Sequence, residues 1–324
     1  MRFSRLRCRS FKFTEFGRKR FFAAGDNGRD QQANLSPLDE SCNTLRVWRG
    51  CALLCWTLPA LLLFASPSAA QTGRLKNIGL CNAGAQTAAD SVITGCTALI
   101  DSGAESPKNL AIIYNNRGNA FIQKMEYDHA ISDYDRSIKN DPDYAKAFNN
   151  RGVAYQQKGE LDLAMQDFEQ AIKLDSQYAS AFVNRARANS DKGEYDLAMR
   201  DYDEAIQLAP ALAAAWNGRC WIRAIRGDVQ TALADCNEAI RLEPSLAAAF
   251  DSRGLVYLKM GRWDEAIADY SSALRLSPSR ANSLYGRGLA KLKSGHKPDA
   301  MADLSAAAAL NPKVGEDFAR YGIN

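Results

Sequence analysis

Apolar and small residues recur through most of the chain with the spacing of one face of an α-helix. Between residues 111 and 314 they are separated by three or four positions within each stretch, and glycine or proline interrupts the pattern at regular intervals. Spacing of this kind predicts amphipathic helices, and no stretch shows the strict alternation typical of a β-strand. The pattern therefore predicts an all-α chain of short consecutive helices.

The helical pattern repeats every 34 residues. Six units, beginning at residues 111, 145, 179, 213, 247 and 281, fill 111–314 without a gap. Positions 4, 8 and 11 of a unit form one face of a first helix, and positions 20, 24, 27 and 28 form one face of a second. Five units carry glycine at position 15, which predicts the turn between the helices, and five carry proline at position 32, which ends the second helix. Each unit is therefore predicted to be a helix pair.

Residue size at four positions indicates how the two helices pack. Position 20 is alanine in all six units and position 8 is mostly glycine or alanine, whereas positions 4 and 24 are mostly aromatic. Small residues allow two backbones to approach, and large residues fill the space beside them. The period and this pattern resemble the tetratricopeptide repeat. The resemblance implies a right-handed α-solenoid of stacked helix-turn-helix units.

Two further segments are predicted to complete the array. Residues 73–106 repeat the apolar pattern of a second helix and form a degenerate unit before the first full one. After the last unit, residues 315–324 contain Phe318 and Tyr321 on one helical face. This segment is predicted to be a capping helix that covers the open side of the last unit, as terminal caps do in repeat proteins.

Two charged positions are constant throughout the array. Position 7 is arginine and position 23 is aspartate in every unit, although tetratricopeptide repeats usually have leucine at position 7. Recurrence in every unit predicts a structural role, namely an arginine–aspartate ladder between neighbouring helices. The alternative is two solvated stripes of charge, in which exposed pairs contribute only about 0–1 kcal/mol each.

The positive charge of the chain is concentrated near its beginning. The 324 residues carry a net charge of +4, but residues 1–70 carry +6 and the remainder carries −2, which removes the main support for nucleic-acid binding. Arginines precede an apolar run at 51–65 and small residues follow it, as in a secretory signal peptide cleaved near 70/71. A retained membrane anchor is the alternative, although the run is short for a bilayer span. The basic extension before the run also suggests a translation start near Leu45 or Val47. The segment predicts a periplasmic or secreted protein that meets the membrane only during export.

The four cysteines after the predicted cleavage position form two pairs. Cys81 and Cys96 are 15 residues apart, Cys220 and Cys236 are 16 apart, and the second member of each pair falls at position 24. In the fourth unit the pair replaces the small and aromatic residues where two helices approach most closely, and an exported protein meets an oxidising compartment. The sequence therefore predicts the disulfides Cys81–Cys96 and Cys220–Cys236, with four buried free thiols as the alternative. A zinc site is disfavoured because no histidine accompanies either pair.

The sequence does not predict a catalytic centre. His129 and His296 lie in the first and last units, no glycine-rich phosphate loop follows a strand, and no serine or cysteine has a base within plausible reach. The carboxylates recur at the helical period, which is typical of solvated helix faces. We therefore predict no catalytic residue, no metal site and no cofactor.

A second stripe runs along the first helices at positions 2, 5, 9 and 12, which the packing face does not use. In stacked units this stripe lines a concave groove, where asparagine side chains can bond a peptide backbone and Trp221 offers an aromatic contact. The residues predicted to contact a ligand are Asn115, Asn119, Asn149, Arg187, Asn217, Trp221, Asp251 and Tyr285. Ordinary solvated helix surface is the alternative interpretation.

The resemblance to tetratricopeptide repeats implies a scaffold that binds a peptide or partner protein in this groove. Together with the predicted export segment, it places that scaffold in a cell envelope of bacterial type. The lysine, asparagine and arginine clamp with which some of these repeats bind a terminal carboxylate is not expected, because position 5 is never lysine. The alternative function is an architectural one, through self-association or convex-face contacts. No nucleic-acid partner is predicted.

Overall fold

The chain folds into consecutive α-helices. The structure, a computed structural model, describes residues 69–84 and 87–323, and within these ranges there are fifteen helices and no β-strand. The helices are α1 (Ala69–Cys81), α2 (Ala89–Asp101), α3 (Pro107–Gln123), α4 (Tyr127–Asn140), α5 (Ala145–Gln157), α6 (Leu161–Leu174), α7 (Ala179–Asp191), α8 (Tyr195–Leu208), α9 (Ala213–Arg226), α10 (Val229–Leu242), α11 (Ala247–Lys259), α12 (Trp263–Leu276), α13 (Ala281–Lys293), α14 (Lys297–Leu310) and α15 (Val314–Arg320). The predicted apolar run at 51–65 lies outside the described residues. No helix in the described ranges is long and apolar enough to cross a bilayer.

Each of the helices α1 to α14 packs most extensively against its partner in a pair. The pairs are α1 with α2 and then, in units 1 to 6, α3 with α4 through to α13 with α14, and each pair also contacts the next. The short helix α15 follows unit 6 and contacts both helices of that unit. The structure therefore confirms the predicted α-solenoid and its capping helix.

The turn between paired helices has the left-handed conformation that the glycine pattern predicts. In units 2 to 6 the glycine at position 15 has φ between 72° and 91°. In unit 2 the amide of Glu160, just beyond this glycine, donates to the carbonyl of Tyr155 at 2.9 Å and so satisfies the end of α5. Unit 1 has Met125 at the same position, and this residue adopts φ 59° without the freedom of glycine.

The paired helices approach most closely at positions 8, 20 and 24. The alanine at position 20 is fully buried in every unit. At position 8 of unit 2, a Cβ added to Gly152 would lie 2.7 Å from the ring of Phe168, so only a residue without a side chain fits there. The arrangement of small residues against large ones is thus the predicted one.

Two helix pairs are joined covalently at this point of closest approach. Cys220 and Cys236 form a disulfide between α9 and α10 with their Cα atoms 5.4 Å apart. Cys81 and Cys96 form another between α1 and α2 with a Cα separation of 4.7 Å. Both separations lie in the range of ordinary disulfides. The structure therefore has the predicted cysteine pairing, and these four cysteines are not free thiols.

The constant arginine and aspartate form a ladder along the array. In each unit the arginine donates from Nε and one terminal nitrogen to the two oxygens of the aspartate, at 2.6–2.9 Å. The pairs are Arg117–Asp133, Arg151–Asp167, Arg185–Asp201, Arg219–Asp235, Arg253–Asp269 and Arg287–Asp303. All six aspartates are buried, so the alternative of two solvated stripes is wrong.

The ladder also connects one unit to the next. The remaining terminal nitrogen of Arg151 donates to Asp135 of unit 1 at 2.6 Å, and that of Arg219 donates to Asp203 of unit 3 at 2.7 Å. Guanidinium groups suit this role because their planar fork bonds a carboxylate through two parallel contacts and leaves a donor for a third. Each arginine with these three bonds therefore fixes the geometry within its unit and the stacking on the unit before it.

Candidate functional site

The concave face is built from the first helices of the units. These helices, α3, α5, α7, α9, α11 and α13, contact one another in sequence, whereas the second helices of neighbouring units do not touch among the described elements. Helices that contact each other directly occupy the inner, shorter path of a curved array. The stripe predicted at positions 2, 5, 9 and 12 lies on these first helices, and its position 5 is buried in units 1 to 3.

A ladder of asparagine side chains crosses the units at the beginning of this face. Asn150 donates to Asn115 at 2.9 Å, and Asn184 donates to Asn149 at 2.9 Å, so each bond joins one first helix to the next. Within α5, Asn149 donates to Asn150 at 3.1 Å and continues the ladder. Amide side chains can serve as donor and acceptor at once, which allows such a chain of bonds to continue through several units.

Two of the predicted ligand contacts are wrong, because their side chains belong to this asparagine ladder. Asn115 and Asn149 are both 0% exposed, and their amides bond other asparagines, so neither is available to a ligand. The physical reason is that neighbouring first helices lie close enough to bury position 5. The asparagines at position 6 were missed as partners, although the repeated Asn-Asn pair in units 1 and 2 and Asn184 in unit 3 were a visible signal.

Two other predicted residues remain at least partly exposed near the beginning of the face. Asn119 accepts hydrogen bonds from Asn150 at 3.0 Å and from the hydroxyl of Tyr134 at 2.7 Å, so it is already engaged in the structure. Arg187 is partly exposed at position 9 of unit 3. Around them, Gln123 is exposed and Gln156 and Ser180 are partly exposed, and the Gln156 amide donates to Asp191 at 2.7 Å. This part of the face is polar and open.

The end of the chain covers the later part of the face. Val314 and Phe318 of α15 are buried, and Phe318 packs on Tyr285 with ring centroids 4.9 Å apart. Beyond the helix, Tyr321 meets Trp221 edge to face at 5.4 Å, two units before the last one. The predicted ligand contacts Trp221 and Tyr285 thus lie against the segment 314–323, which caps unit 6 and also continues along the concave face.

The last two predicted residues, Asp251 and Asn217, lie on the first helices of units 5 and 4. The carboxylate of Asp251 is 15% exposed, accepts a hydrogen bond from the hydroxyl of Ser283 and lies 3.8 Å from a terminal nitrogen of Arg280. Burial raises the pKa of Asp251, and the opposite charge of Arg280 and the Ser283 bond oppose that rise. Asn217 is partly buried, and its side-chain oxygen accepts no hydrogen bond from the described residues.

The two histidines lie in the first and last units of the array. His129 lies 3.0 Å from Glu126 on the surface of unit 1, and His296 lies 2.9 Å from Ser294 in the turn of unit 6, as the sequence placed them. Within 69–84 and 87–323, no group of three or more metal-ligating side chains comes together. What the concave face offers is a curved surface that is polar at one end and aromatic at the other.

Comparison with protein families identifies the repeat. A family model described as "TPR repeat" matches residues 118–159 and 254–295. Two further models, each described as "Tetratricopeptide repeat", match residues 145–178 and 179–212. All four matched ranges fall within the array of 34-residue units. Comparison with curated proteins gives no significant match.

Solved structures share the architecture at low sequence identity. A chain of the APC/C hetero-tetramer Cut9–Hcn1 matches with a TM-score of 0.60 and 20% identity, over 72% of this chain and 49% of that one. A tetratricopeptide repeat protein from Parabacteroides merdae matches with a TM-score of 0.56 and 20% identity, over 72% of this chain and 92% of that one. Pseudomonas aeruginosa PilF matches with a TM-score of 0.55 and 18% identity, over 65% and 97%. The present chain thus spans about half of the Cut9–Hcn1 chain, and at these identities the likeness concerns the fold.

Proposed function

Because the chain is a tetratricopeptide-repeat (TPR) protein, we propose that it is a non-catalytic scaffold whose concave face binds a peptide segment or partner protein. TPR arrays in general present a surface for protein interaction and do not supply a reactive centre. The observation that carries the proposal is the chain's own end. The segment 314–323 lies on this face as a short peptide would, with Phe318 and Tyr321 as its aromatic anchors.

The two ends of the face suit different parts of one ligand. Polar side chains near units 1 to 3, such as Gln123 and Gln156, can bond the backbone of an extended peptide. Near units 4 to 6, Trp221 and Tyr285 accept aromatic side chains, which dominate the energy of many interfaces. A partner that presents aromatic residues on a short helix would therefore compete with segment 314–323 for the aromatic end.

The proposal can be tested with the tail segment added in trans. The binding protein is the full chain with Phe318→Ala and Tyr321→Ala, and the ligand is a fluorescent peptide of residues 311–323. We expect saturable binding by fluorescence anisotropy, weakened about tenfold by Trp221→Ala, which corresponds to losing one aromatic pair. A peptide with both aromatic residues replaced is the matched ligand control, and Leu163→Ala on α6 is the protein control.

Absence of binding by the tail peptide, or equal binding by its alanine version, would remove the support for a groove ligand. If sedimentation then shows an oligomer that is lost when Leu163 and Leu197 are replaced, the result would favour the alternative of a structural role through self-association. Both leucines are exposed on the second helices and lie outside the concave face.

We also propose that this scaffold acts in the cell envelope. Two features support it: the basic and apolar pattern of residues 1–70, and two disulfides, which persist in oxidising compartments. We expect the protein isolated from cells to begin at Gln71, and Leu62→Arg in the apolar run to leave the longer precursor. An exported protein that still contains residues 51–65 would instead indicate a retained anchor.

A further inference from the structure

A cavity of about 430 Å³ lies beside the covered end of the concave face. Leu258 of α11, Leu289 of α13 and Trp263 of α12 supply apolar walls, and Gly322 and Ile323 of the chain's end close one side. Small-molecule sites are recesses of about this size in which a few placed polar groups fix the orientation of the ligand. The volume therefore fits a small ligand, and the polar groups, which supply about half of the exposed lining, decide its chemistry.

Those polar groups are two lysines. Lys259 and Lys293 both line the cavity, at position 13 of units 5 and 6, and no acidic side chain lines it. The ammonium of Lys259 donates to the carbonyl of Ile225 at 3.1 Å, which leaves two of its three donors for another partner. Among the described residues neither lysine forms a salt bridge, and burial lowers the pKa of Lys259 because its charge lacks compensation.

Lys259 and Lys293 differ from the other cations at the same edge of the array. At position 14 of units 1 to 4, each cation forms a salt bridge with an aspartate of the unit before it, at 2.6–3.0 Å. The pairs are Lys124–Asp90, Lys158–Asp128, Lys192–Asp162 and Arg226–Asp196. Units 5 and 6 have Met260 and Ser294 at position 14 and instead place their lysines one residue earlier, against the cavity. Units 5 and 6 thus place a lysine beside the cavity, whereas units 1 to 4 place their cation in an ion pair.

We propose that this cavity binds a small organic monocarboxylate with an apolar or aromatic body. The carboxylate would lie between Lys259 and Lys293, held by charge-assisted hydrogen bonds from the two ammonium groups. The apolar body would lie against Leu258, Leu289 and Trp263. A small ligand fits better than a peptide because the chain's end, at Gly322 and Ile323, forms one wall and would have to move to admit a longer chain.

The test uses 4-phenylbutyrate and its neutral analogue 4-phenylbutyramide, with the full chain in a calorimeter at low salt. We expect the carboxylate to bind about tenfold more tightly than the amide, as one charge-assisted contact provides. Lys259→Gln with Lys293→Gln should abolish this preference, whereas the double change to arginine should keep it. Lys158→Gln with Lys192→Gln is the matched control, because these lysines form ion pairs away from the cavity, and it should leave the preference unchanged.

A second measurement separates binding from a general change in the protein. Carboxylate binding should raise the pKa of Lys259, measured by NMR on labelled lysine, because a negative charge stabilises the ammonium. Equal affinity for acid and amide, or a preference that survives the double glutamine change, would overturn the proposal. The proposal would also be overturned if a hexapeptide ending in phenylalanine bound more tightly than 4-phenylbutyrate, because the cavity would then bind the end of a peptide. Since none of these measurements uses the peptide of residues 311–323, failure here leaves groove binding separately testable.

Discussion

At the residue scale, the arginine–aspartate pairs of the ladder combine burial with charge. Each aspartate is almost fully buried, and the arginine beside it supplies two charge-assisted hydrogen bonds. Such a pair contributes little compared with a well-packed apolar pair, but removing one member leaves an uncompensated charge in the interior. The ladder therefore makes each rung sensitive to the loss of its cation, even though the complete pair is only a modest source of stability.

Arg185→Gln should lower the free energy of unfolding by about 2–3 kcal/mol, less than for a fully buried pair because the arginine is partly exposed. Arg185 forms an ion pair with Asp201 at 2.7 Å, and without it Asp201 would keep a weak contact of 3.4 Å from Asn189. Urea unfolding followed by circular dichroism measures the change. Arg241→Gln, which removes an exposed pair with Glu238, is the control and should have no measurable effect. Equal effects of the two changes would contradict a structural role for the buried rung.

Met125 differs from the residues at the equivalent position of the other units. It adopts φ 59° at a turn position where the other five full units have glycine. Met125→Gly should therefore raise the midpoint of thermal unfolding by relieving the left-handed conformation, with a gain of up to about 1 kcal/mol after the entropy cost of glycine. Met301→Gly, within α14, is the control and should destabilise the protein. A lower midpoint for Met125→Gly would show that the methionine side chain contributes more than its backbone strain costs.

At the element scale, unit 4 retains the helix-pair geometry with different chemistry. Where other units pack a small residue against a large one, unit 4 has Cys220 bonded to Cys236. The sequence was sufficient to predict this pairing because the 34-residue register assigned both cysteines to positions already known to be adjacent. It was not sufficient to predict the burial of Asn115, because assigning a stripe to the surface considers one helix at a time, and position 5 is buried by the next first helix.

Cys220→Gly with Cys236→Tyr should rebuild the pair found in units 1 and 5 and keep most of the stability of unit 4. Cys220→Ser with Cys236→Ser should lose more, because it removes the bond without supplying a large side chain in its place. A disulfide closing a loop of this length contributes about 3 kcal/mol by constraining the unfolded chain. Thermal unfolding is measured with Cys81 and Cys96 both changed to alanine, so that the comparison concerns unit 4 alone. The parent chain with Cys220 and Cys236, measured with and without reductant, is the reference for the two variants. Equal stability of the glycine–tyrosine and serine variants would mean that the ring does not pack as in the other units.

At the scale of the whole molecule, stability is distributed among neighbours. Helix pairs contact mainly the pairs beside them, so the array resembles a one-dimensional stack in which the ends are least supported. The sequence predicted the order and register of this stack because its period is unbroken. It predicted the capping helix but not the path of Tyr321 to Trp221, because that path depends on the curvature of the array and not on any one unit.

Phe318→Ala with Tyr321→Ala should loosen the end of the array and leave its beginning unchanged. Both residues pack against the first helices of units 4 to 6, whereas no described residue of α15 touches α3 to α6. Native-state hydrogen exchange should show faster exchange in α13 and α14, because local openings follow local contacts. Exchange in α3 and α4 is the internal control. Uniform acceleration along the chain would indicate a single cooperative unit rather than a stack.

The two disulfides also determine where the array can lengthen when its ends are pulled. Each one ties the two helices of a pair across a turn, so the segment between the cysteines, which are 15 or 16 positions apart, cannot be drawn out while the bond is intact. At about 3.4 Å per extended residue, the pair withholds about 100 Å of contour length. Under tension, the pair α1–α2 and the pair α9–α10 therefore cannot be extended until their disulfides are reduced.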